Sequence, residues 1–384
     1  METSTEARRS EAPEHLGSIL SELQRFGARV EDSFEGRKGG AGPSDAGMMW
    51  VEGNPVTFPF SAEYVASSPF AFKDSEEGWG LYRHGRRVAS AALPPRPRFY
   101  DLATEDGIPY WKIALLHLDS LASTVIQTCL YWDTEDQCKF CGIELSLQGG
   151  RTIPVKKPEQ LAEVAAAAKA LDGAVDATLT TGTPNSADRG ARYLGRCARA
   201  IKQRAGLPVQ AQFEPPENLS VLEEIKEMGV DTVGMHVESF DAEVLARVAP
   251  AKARTGIDGY FSAWRRAVEI FGPGQVTTYV ILGMGEDPKV TVDGCRRAID
   301  MGVYPFVVPL RPVPGSLLED LLPPPSSYMD SVYRQVVPYA AMHGLTSGEV
   351  SAGCARCNAC SGMKAFEGAD GAARKRQLPI VHAG

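Results

Sequence analysis

Three cysteines, Cys129, Cys138 and Cys141, stand in a C-x8-C-x2-C array directly after the apolar run Ala122 to Thr128. Thiolates are soft donors that select iron–sulfur clusters or zinc. Three of them at a strand end leave one corner of a cubane cluster without a protein ligand, and such an open iron can bind a small molecule rather than only carry an electron. On that reading the chain is an enzyme that makes radicals. The pair Cys138–Cys141 alone would also serve as half of a zinc site. A second triplet, Cys354, Cys357 and Cys360, has the spacing C-x2-C-x2-C. It reads as an auxiliary iron–sulfur cluster with an open or externally supplied fourth position. The alternatives are a structural zinc completed by a distant residue such as His343, or plain thiols. Zinc more often shows paired C-x2-C knuckles, which puts the cluster first. Cys197 and Cys295 fall in helical patterns and read as small buried hydrophobes.

The chain has 384 residues, a length that suits one large catalytic domain with appendages. A net charge of −8 argues against a nucleic-acid footprint. No apolar run approaches the roughly 18 residues of a membrane span. The N-terminus, Met-Glu-Thr-Ser-Thr-Glu-Ala, is acidic and polar, unlike a secretory signal. Clustered cysteines in such a chain point to metal or catalysis rather than disulfides, and so to a cytoplasmic location.

Three regions are expected. Residues 1–110 form an accessory region with a helix over Leu16 to Phe26, a Gly-rich linker over Gly36 to Gly47, and short β pieces at Met49–Glu52, Val56–Phe60, Trp79–Tyr82 and Val88–Ala92. Residues 111–325 alternate strands and helices. The strands are Ala122–Thr128, Ala177–Thr181, Pro208–Phe213, Thr232–Val237, Val276–Leu282 and Tyr304–Pro309; helical patterns lie between them. Six βα units imply an α/β fold with a parallel sheet and right-handed crossovers, an incomplete (β/α)6 TIM-type barrel with chemistry at the carboxyl ends of its strands. Residues 326–384 hold a closing helix over 326–343, the second triplet and a basic stretch, Arg374-Lys-Arg376.

The first triplet follows the first strand of the series, Phe140 precedes its last cysteine, and a glycine follows it. Here the residues resemble the radical S-adenosylmethionine (SAM) superfamily, whose common spacing is C-x3-C-x2-C with an aromatic before the last cysteine. The first gap in this chain is longer. Thr181-Gly182-Thr183 after the second strand stands where the family presents backbone groups to the SAM amino group, although the usual Gly-Gly-Glu is absent. The segment His236-Val237-Glu238-Ser239 resembles a pattern that helps hold SAM in lipoyl- and biotin-synthase-like members. Lys252 and Arg254 stand where those members keep cations for the SAM carboxylate. Ile281, Gly283 and Glu286 match the I-x-G-x-x-E segment that meets adenine, and Pro309 to Gly315 is similar to a biotin-synthase-like P-x-P-G turn. Each has a bland reading as an ordinary turn, a structural histidine or a solvated loop. Their order behind the triplet favours the family reading.

The segments His117 to Cys129, Cys138 to Ser146 and Gly150 to Ile153 look like one branch, the MSMEG-type or nitrilase-cluster radical SAM proteins encoded beside a nitrilase in bacterial operons. The resemblance implies a 4Fe–4S cluster on Cys129, Cys138 and Cys141, and SAM as cosubstrate. It also implies a small-molecule substrate, and reduced flavodoxin or ferredoxin as electron donor, with neither nucleic acid nor membrane as partner. Strand-terminal placement makes Gln127, Gln212, Glu214, Tyr279 and Arg311 candidate pocket polars. The competing reading is a non-catalytic zinc or iron–sulfur scaffold. A thiol oxidoreductase ranks behind both, because the thioredoxin-like βαβ context is missing.

Overall fold

The computed structural model describes residues 16–30, 34 and 46–367. Most of the Gly-rich linker and the basic stretch at 374–376 lie outside the described residues.

Five short strands form the first sheet: β1 (Gly47–Val51), β2 (Asn54–Phe58), β3 (Phe70–Lys73), β4 (Gly80–Arg83) and β5 (Arg86–Ala92). They pair antiparallel in the order β2-β1-β5-β4-β3. The hairpins turn at Glu52-Gly53 and His84-Gly85, where both residues of each pair have positive φ, as the tight turns matching strand twist require. Helix Leu16–Phe26 buries Ile19, Leu20 and Leu23 against Met49, Val56, Phe58, Phe70, Phe72 and Leu81. The expected β pieces missed β3, whose Phe-Ala-Phe-Lys run is too short to show a period.

The second sheet has seven strands: β6 (Leu115–His117), β7 (Ser120–Ile126), β8 (Asp176–Thr181), β9 (Val209–Gln212), β10 (Thr232–Gly234), β11 (Val276–Leu282) and β12 (Val303–Pro309). Their order is β12-β11-β10-β9-β8-β7-β6. Strands β7 to β12 are parallel and β6 joins the edge as an antiparallel hairpin. The result is a curled half-barrel: the six expected βα strands plus one edge strand absent from the sequence reading. Helices Pro158–Asp172, Ala191–Ala205, Pro250–Phe271 and Pro288–Asp300 cover its outer face. Their ends carry the usual signals, such as Asp287 capping Lys289 and Val290 and left-handed Gly173 closing a C-terminus. Strand β10 stops at Gly234 rather than Val237, because side chains take over the next ladder bonds: His236 Nδ1 accepts from Tyr279 N and Thr278 Oγ1 from Val237 N, before Glu238 rejoins β11 as an isolated bridge to Val280.

The C-terminal segment enters the half-barrel from the end where the strands begin. Gly353 N donates to Asp176 Oδ2 at 2.9 Å, and Thr232 Oγ1 to Ala352 O at 3.1 Å. Arg356 pairs with Asp119 and with Asp176, both at strand starts. The first sheet closes over this plug: Thr57 donates to Ala359 O through both its amide and its hydroxyl, each at 2.9 Å.

Candidate metal centre

Strand β7 delivers the chain to the carboxyl end of the sheet, and Cys129 follows three residues after its last residue, Ile126. There β8 runs close beside it. A Cβ on Gly182 would lie 2.1 Å from Thr128 O, so only glycine permits the approach. Gly182 N donates to Ile126 O at 2.8 Å, and Leu130 N to Thr183 O at 2.9 Å, locking the turn after β8 to the cysteine loop. Gly182→Ala is therefore expected to cost about 2–3 kcal/mol, as overpacking against backbone does, seen as a lowered thermal midpoint.

The long gap between Cys129 and Cys138 folds as a braced turn. Asp133 has φ 58°, and its amide donates to Gln137 Oε1 at 2.9 Å. Arg189 Nη1 donates to the Tyr131 hydroxyl at 2.5 Å, and Lys139 N to Val248 O at 2.8 Å. Arg254 makes a two-pronged pair with Asp136 and lies over the Tyr131 ring. The extra residues that set this spacing apart thus anchor the loop to neighbouring helices, and Arg254 is committed to that anchorage.

The loop carries all three cysteines to the same end of the sheet. Cys141 N donates to Cys138 O at 3.0 Å, and the Cys141 thiol is near enough to Cys129 and Cys138 for charge on one to oppose ionisation of another. Burial dominates all three: it raises Cys129, raises Cys138 strongly, and pushes Cys141 up to about 11, with Glu214 opposing ionisation at Cys129 and Cys138. Each cysteine nevertheless keeps some accessible surface. Strong desolvation with residual surface describes an enclosed recess rather than bulk solvent. Phe140 packs partly buried on the main core.

A charged group borders the thiols. Lys252 Nζ lies 2.5 Å from Glu238 Oε1 and donates to His236 O at 3.0 Å. Burial lowers the ammonium and raises the carboxyl; the closeness of Glu238, with Cys138 and Glu214 nearby, holds Lys252 protonated. Glu214 accepts from Thr183 Oγ1 at 2.5 Å. Glu238 holds a left-handed backbone, a conformation costing a non-glycine residue about 1–3 kcal/mol and concentrated at functional sites. The His236 ring accepts at Nδ1 from Tyr279 N at 3.1 Å, and burial keeps it neutral. Its buried Nε2 then carries the proton and has no protein partner among the described residues.

The other sequence candidates divide. Gln127 lies beneath the loop: its Nε2 donates to Ile143 O at 2.7 Å, and its Oε1 accepts from Lys156 at 3.1 Å. Thr181 donates to Gly182 O at 2.6 Å, and Ser239 Oγ accepts from Asp241 N at 3.2 Å. Ile281 N donates to Glu238 O at 2.8 Å. Glu286 accepts from Gly283 N at 2.7 Å, Met284 N at 2.8 Å and the Tyr328 hydroxyl at 2.8 Å, so its carboxylate ties up its own turn. Arg311 turns to the first sheet, donating to Thr57 Oγ1 at 3.1 Å. Val313 and Gly315 pack on Gly142 and Leu145 after the last cysteine.

Lys156 escaped sequence reasoning, because a lysine pair before a proline reads as surface. Its ammonium is fully buried and donates to Thr124 O at 2.5 Å, Thr152 Oγ1 at 2.5 Å and Gln127 Oε1. Burial pushes it down to about 7, while the three acceptors favour its charged form. The folded pKa lies below the unfolded one, so the unfolded chain binds more protons between about 7 and 10.5 and stability contributed here rises with pH across that window. Denaturant titrations at pH 7 and pH 9 are expected to show a smaller gain with pH in Lys156→Met than in the parent.

Gln212 and Tyr279 belong to the second triplet. Gln212 Nε2 lies 3.4 Å from Cys354 Sγ, and the Tyr279 hydroxyl bonds the same sulfur. Burial raises Cys357 strongly and Cys354 to about 11; each has the Cys360 side chain nearby. The Tyr279 ring meets His236 edge-on at 4.5 Å and Phe306 at 5.1 Å, so this one side chain spans from the second triplet to the imidazole beside the first group. Gly353 (φ 106°) is required where the segment turns in, since a Cβ would lie 2.1 Å from the Gln210 side chain. His343, offered as a zinc ligand, is instead held at a helix end by Tyr339 O and Asp300. The histidine at the triplet is His117, with Nδ1 3.5 Å from Cys357 Sγ.

Among the described residues no three His, Cys, Asp or Glu side chains converge tightly enough for a single metal ion. One ion needs every donor within about 2.0–2.3 Å of one point, whereas thiolates of a multi-iron cluster bind separate irons and stand further apart. Three soft donors in an enclosed recess, a glycine cradle and the orphaned His236 Nε2 fit such a cluster and a polar ligand beside it. A surface depression lined by Asp258, Phe261, Arg265 and Arg297 includes none of these residues. All eight cysteines are free of disulfides. Among the described residues no helix is long and apolar enough to cross a membrane.

Fold and site together define a half-barrel protein with a cysteine triplet at the carboxyl end of its parallel strands. Residues 135–297 match the family model of the Radical SAM superfamily. The matched segment contains Cys138 and Cys141 and starts after Cys129. The chain is similar to bacteriochlorophyllide c C-7(1)-hydroxylase of Chlorobaculum limnaeum, at 29% identity over 34% of this chain and 33% of that protein. It thus spans about a third of the length of the curated relative it matches. Among solved structures, methylornithine synthase is 18% identical over 63% of this chain and 72% of that one, with a TM-score of 0.43. A radical SAM methyltransferase from Sphaerobacter thermophilus is 13% identical over 72% of this chain and 75% of that one, with a TM-score of 0.45. The domain match and the likeness to the hydroxylase support an enzyme.

Proposed function

We propose that the protein is a radical SAM enzyme in which Cys129, Cys138 and Cys141 hold a 4Fe–4S cluster that cleaves SAM reductively. The observation that carries this reading is the placement of the three cysteines near Glu214, Glu238 and Lys252 at the carboxyl ends of the strands. When bound, the cluster and SAM supply a 5′-deoxyadenosyl radical able to take hydrogen from an unactivated carbon. The chain's own residues do the rest. The turn at Thr181, Gly182 and Thr183 holds the Cys129 loop in place, and Glu214 and Lys252 place fixed charge where a polar cosubstrate's amino and carboxylate groups would lie. His236 offers an Nε2 proton into the barrel. The C-terminal plug, with the first sheet over it, closes the half-barrel at the end where the strands begin and limits water entry from there.

Cys354, Cys357 and Cys360 hold an auxiliary iron–sulfur cluster in this reading, set against Gln212 and Tyr279. The substrate is a small molecule bound between the two sites, and a reduced flavodoxin or ferredoxin donates the electron. The resemblance to the nitrilase-cluster branch belongs to this proposal and names no substrate. The test is anaerobic reconstitution with iron and sulfide, then incubation with SAM and reductant. The expected result is about six to eight irons per chain and formation of 5′-deoxyadenosine. A colourless, zinc-loaded protein that leaves SAM intact overturns the proposal.

A further inference from the structure

We propose that His117 is the fourth protein ligand at the C-terminal triplet, sharing one iron of a two-iron, two-sulfide cluster with Cys357. The inference rests on reading that triplet as a cluster site. His117 is the last residue of β6, and its side chain is buried at the end where the plug enters. Its Nδ1 lies 3.5 Å from Cys357 Sγ, and its carbonyl lies 3.6 Å from the same sulfur. Donors on one tetrahedral metal, with bonds of about 2.3 Å to sulfur and about 2.0–2.1 Å to nitrogen, stand about 3.5 Å apart. The imidazole and the thiol are therefore spaced as two ligands of one metal. Cys354 and Cys360 supply the thiolates for the rest of the cluster.

Charge points the same way. A neutral imidazole adds no negative charge to a buried centre, where each uncompensated charge is expensive. The nearest cation, Arg356, is committed to Asp119 and Asp176. The side chains bonded to Cys354 are the uncharged Gln212 and Tyr279, and the nearby Asp176 is itself paired with Arg356. Replacing a thiolate by imidazole also raises a cluster's reduction potential.

The experiment uses the full chain carrying Cys138→Ala, which removes the other cluster, reconstituted anaerobically with histidine labelled with nitrogen-15. Pulsed electron paramagnetic resonance of the reduced protein is expected to show a directly bound nitrogen. His117→Ala is expected to abolish that coupling. His117→Cys is expected to keep the cluster, lose the coupling and lower the reduction potential. A cluster without nitrogen coupling in the parent, or coupling that survives His117→Ala, overturns the role of His117 alone. Zinc without iron at this triplet overturns the auxiliary-cluster reading itself.

Discussion

Cys138→Ala is expected to reduce SAM cleavage to background and to remove about four irons per chain. The chemistry resides in the cofactor, and the protein cannot replace it with side chains. On the proposed reading Cys138 is the middle donor of the loop, and its neighbours are committed elsewhere. Lys252 and Glu238 are paired with each other, and Glu214 is bonded to Thr183. The loop itself is held by Arg254, Arg189 and Val248, so loss of one sulfur leaves the fold in place. Cys197→Ala is the matched control. Cys197 is fully buried in helix Ala191–Ala205, among apolar side chains. Its variant is expected to lose a little stability and to retain cleavage. Measuring 5′-deoxyadenosine in both variants separates a ligand from a structural cysteine. Equal cleavage by both would sink the assignment.

Arg356→Ala is expected to destabilise the protein by about 3–5 kcal/mol, the cost of removing one partner from a buried ion pair. The side chain is only 7% exposed, Asp176 is fully buried, and Asp119 completes the group. Burial alone would lower the guanidinium, but the bonds and charges of the two carboxylates overcome it and hold it protonated. Removing it leaves two carboxylates at the starts of β7 and β8 without a counter-charge. The same change frees the plug that carries Cys354 and Cys357 on either side of Arg356. Arg356→Ala should therefore lose iron from the second triplet while keeping the first cluster. Pairing it with Asp176→Asn should recover part of the lost stability, since a neutral amide no longer needs the guanidinium. Denaturant titration reads the first effect and iron content the second. No loss of stability in Arg356→Ala would show that the plug is held by its other contacts.

The barrel was legible because its elements are local. Strand β11 matches the expected Val276–Leu282, and helix Leu16–Phe26 matches its expected bounds, since period and turn chemistry announce each within a few residues. Besides β3 and Lys156, three features were not legible. Strand β6 is only three residues long, too short for a period. Strand β10 ends early because the His236 and Thr278 side chains take over its ladder bonds, which no local period announces. Gln212 and Tyr279 read as mouth residues from their strand positions, and only the fold turns them toward Cys354.

What the chain alone determined is the chemistry on offer: two cysteine triplets with cluster spacing, the first placed at a strand end in a βα series, and side chains that resemble a radical-forming enzyme. What tertiary structure decided is which groups meet. His117 reaches Cys357 across 240 residues, and Gln212 reaches Cys354 across 142. Contacts over such distances leave no periodic trace, because they depend on the curl of the sheet and the docking of the plug. Those in turn depend on buried packing and on one buried charge group, Arg356 with Asp119 and Asp176, that no local pattern encodes.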